Sequence, residues 1–140
     1  MKQFNVRVYG LLINADREIL VSDESRFGKH FTKFPGGGVE FGEGLHDALK
    51  REFLEEVDLE IQVHDLFYVN DFLQLSAFNA QHQLLSFYYF VSAENMPTNH
   101  ATPTKSGDGE TQRWIPLHEL NKNDMTFPLD KLVAEKLNKK

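Results

Sequence analysis

The sequence has no cysteine, and that absence removes disulfides, thiolate metal sites and cysteine nucleophiles together. Long apolar runs are missing as well. The longest lies around Leu84–Val91, far short of the roughly 20 residues that a helix needs to cross a bilayer. The first residues, Met1-Lys2-Gln3-Phe4-Asn5-Val6-Arg7, offer no apolar signal core. Positive charge is not in excess: the formal net charge of −6 argues against a surface built to neutralise long stretches of nucleic-acid backbone. It leaves a small phosphorylated ligand open. No Pro/Ser/Gly-rich linker, internal repeat or low-complexity tract divides the chain, so its 140 residues read as one domain spanning 1–140. A hydrophobic content of 41% is ordinary for a globular protein of this size, which needs no covalent staples. The expectation is a cytoplasmic protein with neither a membrane nor a nucleic-acid polymer as partner.

Phe4–Ile13 alternates and is rich in β-formers, which predicts a strand. Asn14-Ala15-Asp16-Arg17 is a turn, and Glu18–Ser22 completes a hairpin. Phe34-Pro35-Gly36-Gly37-Gly38 breaks the pattern. Gly44 to Val57 reads as a helix, with Gly44 at its N-cap and Asp47 in its first turn. Leu59–Phe72 and Leu84–Val91 read as strands, the second so apolar that a central position is expected. Asn95–Gly109, with Pro97 and Pro103, reads as a loop and Thr111–Ile115 as a short strand. Pro128 opens a C-terminal helix with Leu129, Leu132, Val133 and Leu137 on one side. The pattern belongs to the α/β or α+β class, a mixed sheet with helices packed on it.

The first helix is where the chemistry begins. Leu45, Ala48 and Leu49 form its apolar face, and a step of seven residues drifts only about 20° around the axis. That step leads to Glu52, Glu55 and Glu56, so the apolar stripe continues as carboxylates. Phe53, Leu54 and Val57 take the other sides, which predicts that protein covers this half of the helix. A charge run on a helix is commonly a solvated face. Here, two carboxylates about 4 Å apart would repel by roughly 4 kcal/mol at an effective dielectric of 20. Partial burial adds several more kcal/mol if they are unpaired. Arg51 is expected to point away from them and cannot neutralise all three, which leaves raised pKa values or a bound cation. Oxygen-only donors suit Mg²⁺ or Mn²⁺.

Gly36-Gly37-Gly38 can expose its backbone to a ligand because no Cβ atoms block the approach. Alone, a glycine triplet means a tight turn. Followed by Glu40, Glu43 and the helix glutamates, it forms one wall of a metal–phosphate site suited to phosphoryl substitution. Just ahead stand Arg26, Lys29, His30 and Lys33, read either as attractants for phosphate or as a solvated loop. If strand alternation holds there, Lys33 shares a side with Pro35 while Phe34 turns to the core. Phe27, Phe31 and Phe34 are candidates to stack a base, core packing being the better account of Phe34. The histidines show no metal-ligand spacing, and Ser22, Ser25 and Ser76 carry no nucleophile signature.

Gly37, five residues, Glu43, seven residues and Arg51-Glu52-Phe53-Leu54-Glu55-Glu56-Val57-Asp58-Leu59 together resemble the Nudix box of the Nudix hydrolases, without a gap over residues 37–59. Pro35-Gly36 before it, and Trp114-Ile115-Pro116-Leu117 with Glu119-Leu120 after it, are similar to the family's flanking segments. One position departs: Asp58 stands where the family usually has a glycine, which would supply a left-handed cap that Asp adopts at modest cost. The resemblance implies an α/β/α sandwich around a mixed sheet. It also implies hydrolysis of a nucleoside diphosphate linked to a second moiety. By the same resemblance Glu52 and Glu56 match the principal metal ligands, Glu55 a further one, and the carbonyl of Gly37 completes the shell. Glu43 and Arg51 match an ion pair that orients the helix and stand with Glu52 and Glu55 in the catalytic set. The general base is Glu52 in some members and a late-loop glutamate in others. Glu110 is the late candidate here, as base or metal ligand, its bland alternative being an exposed loop acid. Substrate contacts are assigned to Arg26, Lys29, Lys33 and Phe31. The substrate class stays open among nucleoside triphosphates, nucleotide sugars and ADP-ribose, and a homodimer is compatible with the sequence. The competing reading is a non-catalytic nucleotide sensor of the same fold.

Overall fold

The computed structural model describes residues 1–26, 28–96, 102–103 and 110–139. In chain order they form β1 (Gln3–Leu12), β2 (Glu18–Arg26), β3 (Lys29–Lys33), β4 (Gly36–Gly38), α1 (Leu45–Glu56), β5 (Gln62–Val69), β6 (His82–Ser92), β7 (Thr102–Pro103), β8 (Glu110–Pro116) and α2 (Pro128–Asn138). Two four-stranded sheets result, ordered β4-β1-β6-β5 and β3-β2-β8-β7. The first is mixed: β1 runs parallel to β6 and antiparallel to β4. Leu84–Val91 falls inside β6, an interior strand, as its continuous apolar character requires. Among the described residues no helix is long and apolar enough to cross a membrane.

Alternation along the strands sorts the core into two layers. Val8, Leu12, Leu20, Tyr89 and Trp114 pack with Ala48, Leu49 and Phe53 of α1. Their sequence neighbours Leu11, Ile19, Val21, Tyr88 and Ile115 pack with Leu129, Val133, Ala134 and Leu137 of α2. The strands therefore separate one helix from the other, which is the α/β/α arrangement. Pro128 sits at the first position of α2, where its missing N–H costs nothing. At the other end of α1, Asp58 adopts φ 58° and takes the left-handed turn that the glycine of related sequences would take.

Three elements differ from the expectation. β2 does not stop at Ser22 but continues to Arg26 and turns into β3, pairing Asp23 with Thr32 and Ser25 with His30. Arg26, Lys29 and Lys33 thus belong to a hairpin rather than a solvated loop, because Phe31 and Thr32 are buried and hold its second strand down. The strand expected over Leu59–Phe72 shortens to Gln62–Val69, with register shifts between Val63 and Tyr68. β7 falls within the segment expected as the Asn95–Gly109 loop; residues 97–101 and 104–109 lie outside the described residues, as does Phe27.

Arg7 and Tyr9 lie on the same face of β1 as Leu11. At the Leu11 end this face is covered by α2; toward Asn5 it floors a pocket of about 550 Å³. β4 closes the sheet edge beside it, pairing Gly36 with Tyr9, Gly37 with Val8 and Gly38 with Arg7. A Cβ on Gly36, which has φ 150°, would stand 2.1 Å from the carbonyl oxygen of Val8. Gly36→Ala should therefore lower stability in urea unfolding by about 2 kcal/mol or more. Gly38→Ala, whose methyl would lie 3.6 Å from Arg7 Nη1, should stay within about 1 kcal/mol of the parent.

Candidate functional site

The second half of α1 lies against β4, and the contact is set by a missing side chain. A Cβ on Gly37 would fall 2.5 Å from the carboxylate carbon of Glu52 and 2.6 Å from both its oxygens. The Glu52 carboxylate occupies the space that any side chain at 37 would fill. One turn on, Glu56 Oε1 accepts from Lys33 Nζ and from the backbone N–H of Gly36, each at 3.3 Å. Lys33 Nζ also donates to the Gly36 carbonyl at 3.4 Å. Glu52, Glu56, Lys33 and Gly36 to Gly38 all line the pocket.

Arg51 holds this end of the helix to the loop ahead of it. Its Nε donates to Glu43 Oε2 at 2.6 Å and its Nη2 to Glu43 Oε1 at 2.9 Å, a fork-on-fork pair. Nη2 also reaches the Gly38 carbonyl at 3.0 Å. These hydrogen bonds from Arg51, with one from the Glu40 backbone, pull the Glu43 carboxyl down to about 2.

The expectation that Arg51 points away from the glutamates is corrected here. Its Nη1 lies 3.2 Å from Glu52 Oε2 and 3.3 Å from Glu55 Oε1. Residues four apart on a helix differ by only about 40° of rotation, so Arg51 and Glu55 are neighbours. Glu55 is accordingly drawn off the pocket, its side chain 58% exposed. Leu54 is likewise about half exposed rather than covered by protein. Among the described residues no three carboxylate or imidazole side chains form a ready-made metal cage. Glu52 and Glu56 face the pocket as a pair, and with the adjoining glycine backbone they supply the hard oxygen donors that suit Mg²⁺ or Mn²⁺.

Glu110 is not an exposed loop acid. It opens β8, is 9% exposed, and its Oε1 is buried without a hydrogen-bond partner. Burial, then the charge of Glu56, pushes its carboxyl up to about 7. Glu52 is pushed up to about 7 for the same two reasons, in the same order, with Arg51 opposing. Three carboxylates therefore crowd around Glu56, and Lys33 and Arg51 offset only part of their repulsion. That is the electrostatic signature of a group poised to bind a cation or take a proton.

The other anticipated substrate contacts divide. Arg26 lines the pocket, its guanidinium 5.1 Å over the ring of Phe78. Lys33 is buried beside Glu56. Lys29 is exposed at the start of β3, outside the pocket lining. Phe31 is buried behind the pocket, stacked on Phe127 at 5.5 Å and edge-on to Phe78 at 5.5 Å. Phe34 belongs to the core under α2. Sequence reasoning missed Arg7, Tyr9, Tyr88 and Asp130, which also line the pocket. Tyr88 donates its hydroxyl to Asp130 Oδ1 at 2.6 Å, and burial pushes Asp130 up to about 6. The available signal was a charged residue at an inward position of an alternating strand, Arg7, and a second one in the first turn of α2.

An α/β/α fold with a carboxylate-bearing helix end seated on a side-chain-free strand defines a phosphate-processing enzyme. The NUDIX domain model matches residues 3–136, and the chain belongs to that family as a Nudix-type nucleotide pyrophosphohydrolase. It is 28% identical over 137 residues to the 8-oxo-dGTP diphosphatase of Escherichia coli, covering 96% of this chain and 97% of that relative. Among solved structures it resembles the MutT protein of Methanosarcina mazei, with a TM-score of 0.73 at 19% identity, covering 99% of this chain and 95% of that one. A NUDIX hydrolase of Nitrosomonas europaea gives a TM-score of 0.75 at 16% identity, covering 100% and 74%. At these identities the structural likenesses establish the fold.

Glu52 and Glu110 carry folded-state pKa values above the ordinary 4.5, so the native protein binds more protons than the unfolded chain between pH 4.5 and about 7. Their contribution must fall as pH rises through that window. In EDTA, unfolding free energy should drop by on the order of 1–2 kcal/mol between pH 5 and pH 8, after allowance for solvent screening. Glu52→Gln should flatten the slope. Stability that rises over this range would mean the carboxylates are charged and well paired.

Proposed function

We propose that this chain hydrolyses a diphosphate linkage in a nucleoside triphosphate or related nucleoside diphosphate derivative, with Mg²⁺ or Mn²⁺ held by Glu52, Glu56 and the Gly37 backbone. The observation that carries this reading is the seat of the Glu52 carboxylate in the space left by Gly37, with Glu56 one turn away. Such an arrangement keeps two partly buried carboxylates at a backbone edge where a phosphate can approach. The cation would neutralise phosphate oxygens and lower the cost of charge that develops at phosphorus. The E. coli relative, an 8-oxo-dGTP diphosphatase, favours a nucleoside triphosphate over the other substrate classes.

Each residue then has a role. Glu43 and Arg51 fix the end of α1 against β4 and so set the position of Glu52. Lys33 holds Glu56 and adds positive charge where phosphate oxygens would lie. A water molecule attacks phosphorus, the bridging P–O bond breaks, and the water's proton passes to a carboxylate. Glu52 and Glu110 are the two candidates to accept it, Glu110 being the one outside the ligand set named above. Glu55 remains with Arg51 and joins the ligand set only if Arg51 releases it. The cytoplasmic location expected from the sequence stays part of this reading.

Glu56→Gln should lower turnover by about a hundredfold or more while leaving the circular dichroism spectrum and fold intact. Pyrophosphate or phosphate release from a nucleoside triphosphate panel is the measurement. Parental activity in that variant would remove Glu56 from the metal site, and unfolding would make it a structural residue.

Millimolar Mg²⁺ or Mn²⁺ should raise the Tm of the parent protein, since the site exists only in the folded state. The Glu52→Gln/Glu56→Gln double variant should lose the shift. If the shift persists, the cation binds elsewhere.

A further inference from the structure

The pocket contains a cation that the hydrolytic reading does not use. Arg7 projects from β1 on the pocket face, opposite Gly38 on one side and Ser86 on the other. Among the described residues its hydrogen bond goes from Nε to the Tyr9 hydroxyl, at 2.7 Å. No carboxylate forks with it as Glu43 does with Arg51. Glu52 and Glu56 act on Arg7 as charges in its surroundings rather than as hydrogen-bond partners. Among the described residues both terminal NH₂ groups are therefore available to a ligand. A half-sunk guanidinium whose hydrogen bond goes to a phenol, with carboxylates acting on it as charges, keeps donors that a ligand can meet.

The location says what that ligand is. Arg7 Nη1 lies beside Gly38, where even an added Cβ would stand 3.6 Å away. That glycine belongs to the strand on which Glu52 and Glu56 converge. On the other side of Arg7 stands Ser86, and Tyr88, Asp130, Phe78 and Phe127 also line the pocket. The glutamate end is suited to the reacting diphosphate, which leaves the rest of this lining to the nucleoside. A nucleotide laid along this lining has one group at its middle, the phosphate joined to the nucleoside. Tyr9 stacks on Tyr88 with ring centroids 5.0 Å apart, so the partner that aims Arg7 is itself fixed.

We propose that Arg7 is the substrate-binding residue that grips the nucleoside-side phosphate, its terminal NH₂ groups donating to the phosphate oxygens while the Tyr9 hydroxyl holds Nε. This rests on the nucleotide reading above. It assigns Arg7 to substrate rather than to metal, and it makes Tyr9 a positioning residue. The planar fork matters as well as the charge, because a lysine at 7 would present a point charge without the second donor.

The test is calorimetric binding of dGMP and of deoxyguanosine, in EDTA, so that neither metal nor turnover enters. Arg7→Gln should weaken dGMP at least about tenfold and leave deoxyguanosine unchanged, since a charge-assisted pair is lost from the phosphate alone. Arg7→Lys should recover part of the loss, and Tyr9→Phe should show a smaller one, with Tm confirming that each variant is folded. In turnover, Arg7→Gln should affect KM at least as strongly as kcat. Equal weakening of both ligands would make Arg7 a scaffold for the pocket and overturn the proposal. Unchanged dGMP binding with altered Mn²⁺ affinity would reduce it to a counter-charge for Glu52 and Glu56, again overturning it. If the parent protein binds neither dGMP nor any of the other three common deoxynucleoside monophosphates, in EDTA or with Mg²⁺, the nucleotide reading itself falls, and this assignment with it.

Discussion

How closely α1 can approach the edge of the first sheet depends on one absent atom, the Cβ of residue 37. The Glu52 carboxylate lies where that atom would be, and a helix with a buried carboxylate at its contact face cannot slide past a side chain there. From this approach follow the others. Glu56 comes within reach of the Gly36 N–H and of Lys33, and Arg51 reaches the Gly38 carbonyl while gripping Glu43. The glycine strand is thus less a flexible loop than a paired β-edge kept thin, with Gly36 and Gly37 hydrogen-bonded into register against Tyr9 and Val8. Its rigidity is what lets a charged helix face be held in place rather than splayed into solvent.

Arg51 resolves a conflict that this approach creates. Carboxylates crowded at the end of a helix also meet the negative pole of its dipole, so their repulsion is compounded. Arg51 offsets part of it through Glu52 and Glu55, but its two shortest hydrogen bonds go to Glu43. The guanidinium is consequently spent on orientation, and the burial of Glu52 still leaves its carboxyl near 7. A full neutralisation would have produced a more stable helix and an inert one. The remaining imbalance is the property that the proposed cation-dependent hydrolysis requires.

Local patterns were readable from the sequence, and distant convergence was not. The starts of both helices followed from Gly44 and Pro128, and the Glu52–Glu56 pair followed from helical spacing, because such signals involve residues a few positions apart. The β2–β3 hairpin was hidden because Asp23, Glu24, Ser25 and Arg26 look like a loop. Their polarity is satisfied across the ladder, where Asp23 accepts from Thr32 at 2.6 Å and from Arg113 at 2.6 Å. The direction of Arg51 was misjudged because backbone rotation alone ignores the reach of a long side chain toward its i+4 neighbour. Arg7, Tyr9, Tyr88 and Asp130 come from β1, β6 and α2, and only sheet register brings them to one pocket. Glu110 was visible as a candidate, but its burial depended on where β8 enters its sheet.

An acidic chain that takes an anionic substrate must solve a local problem that its net charge of −6 makes worse. The pocket contains Glu24, Glu52, Glu56 and Asp130 against Arg7, Arg26 and Lys33. These charges are not mixed evenly. The carboxylates of Glu52 and Glu56 sit at the glycine edge, where a divalent cation would reverse the local sign. Asp130 is buried under the hydroxyl of Tyr88, which lowers its effective charge at the pocket surface, and its raised pKa points the same way. Lys33 is already bound to Glu56, and Arg26 is engaged over Phe78 at the far end. Among the described residues Arg7 hydrogen-bonds to the Tyr9 hydroxyl and forks with no carboxylate. For the nucleotide proposed as substrate, the local charge would therefore change sign along the ligand, with the cation-binding carboxylates at the glycine edge and the arginines beyond it.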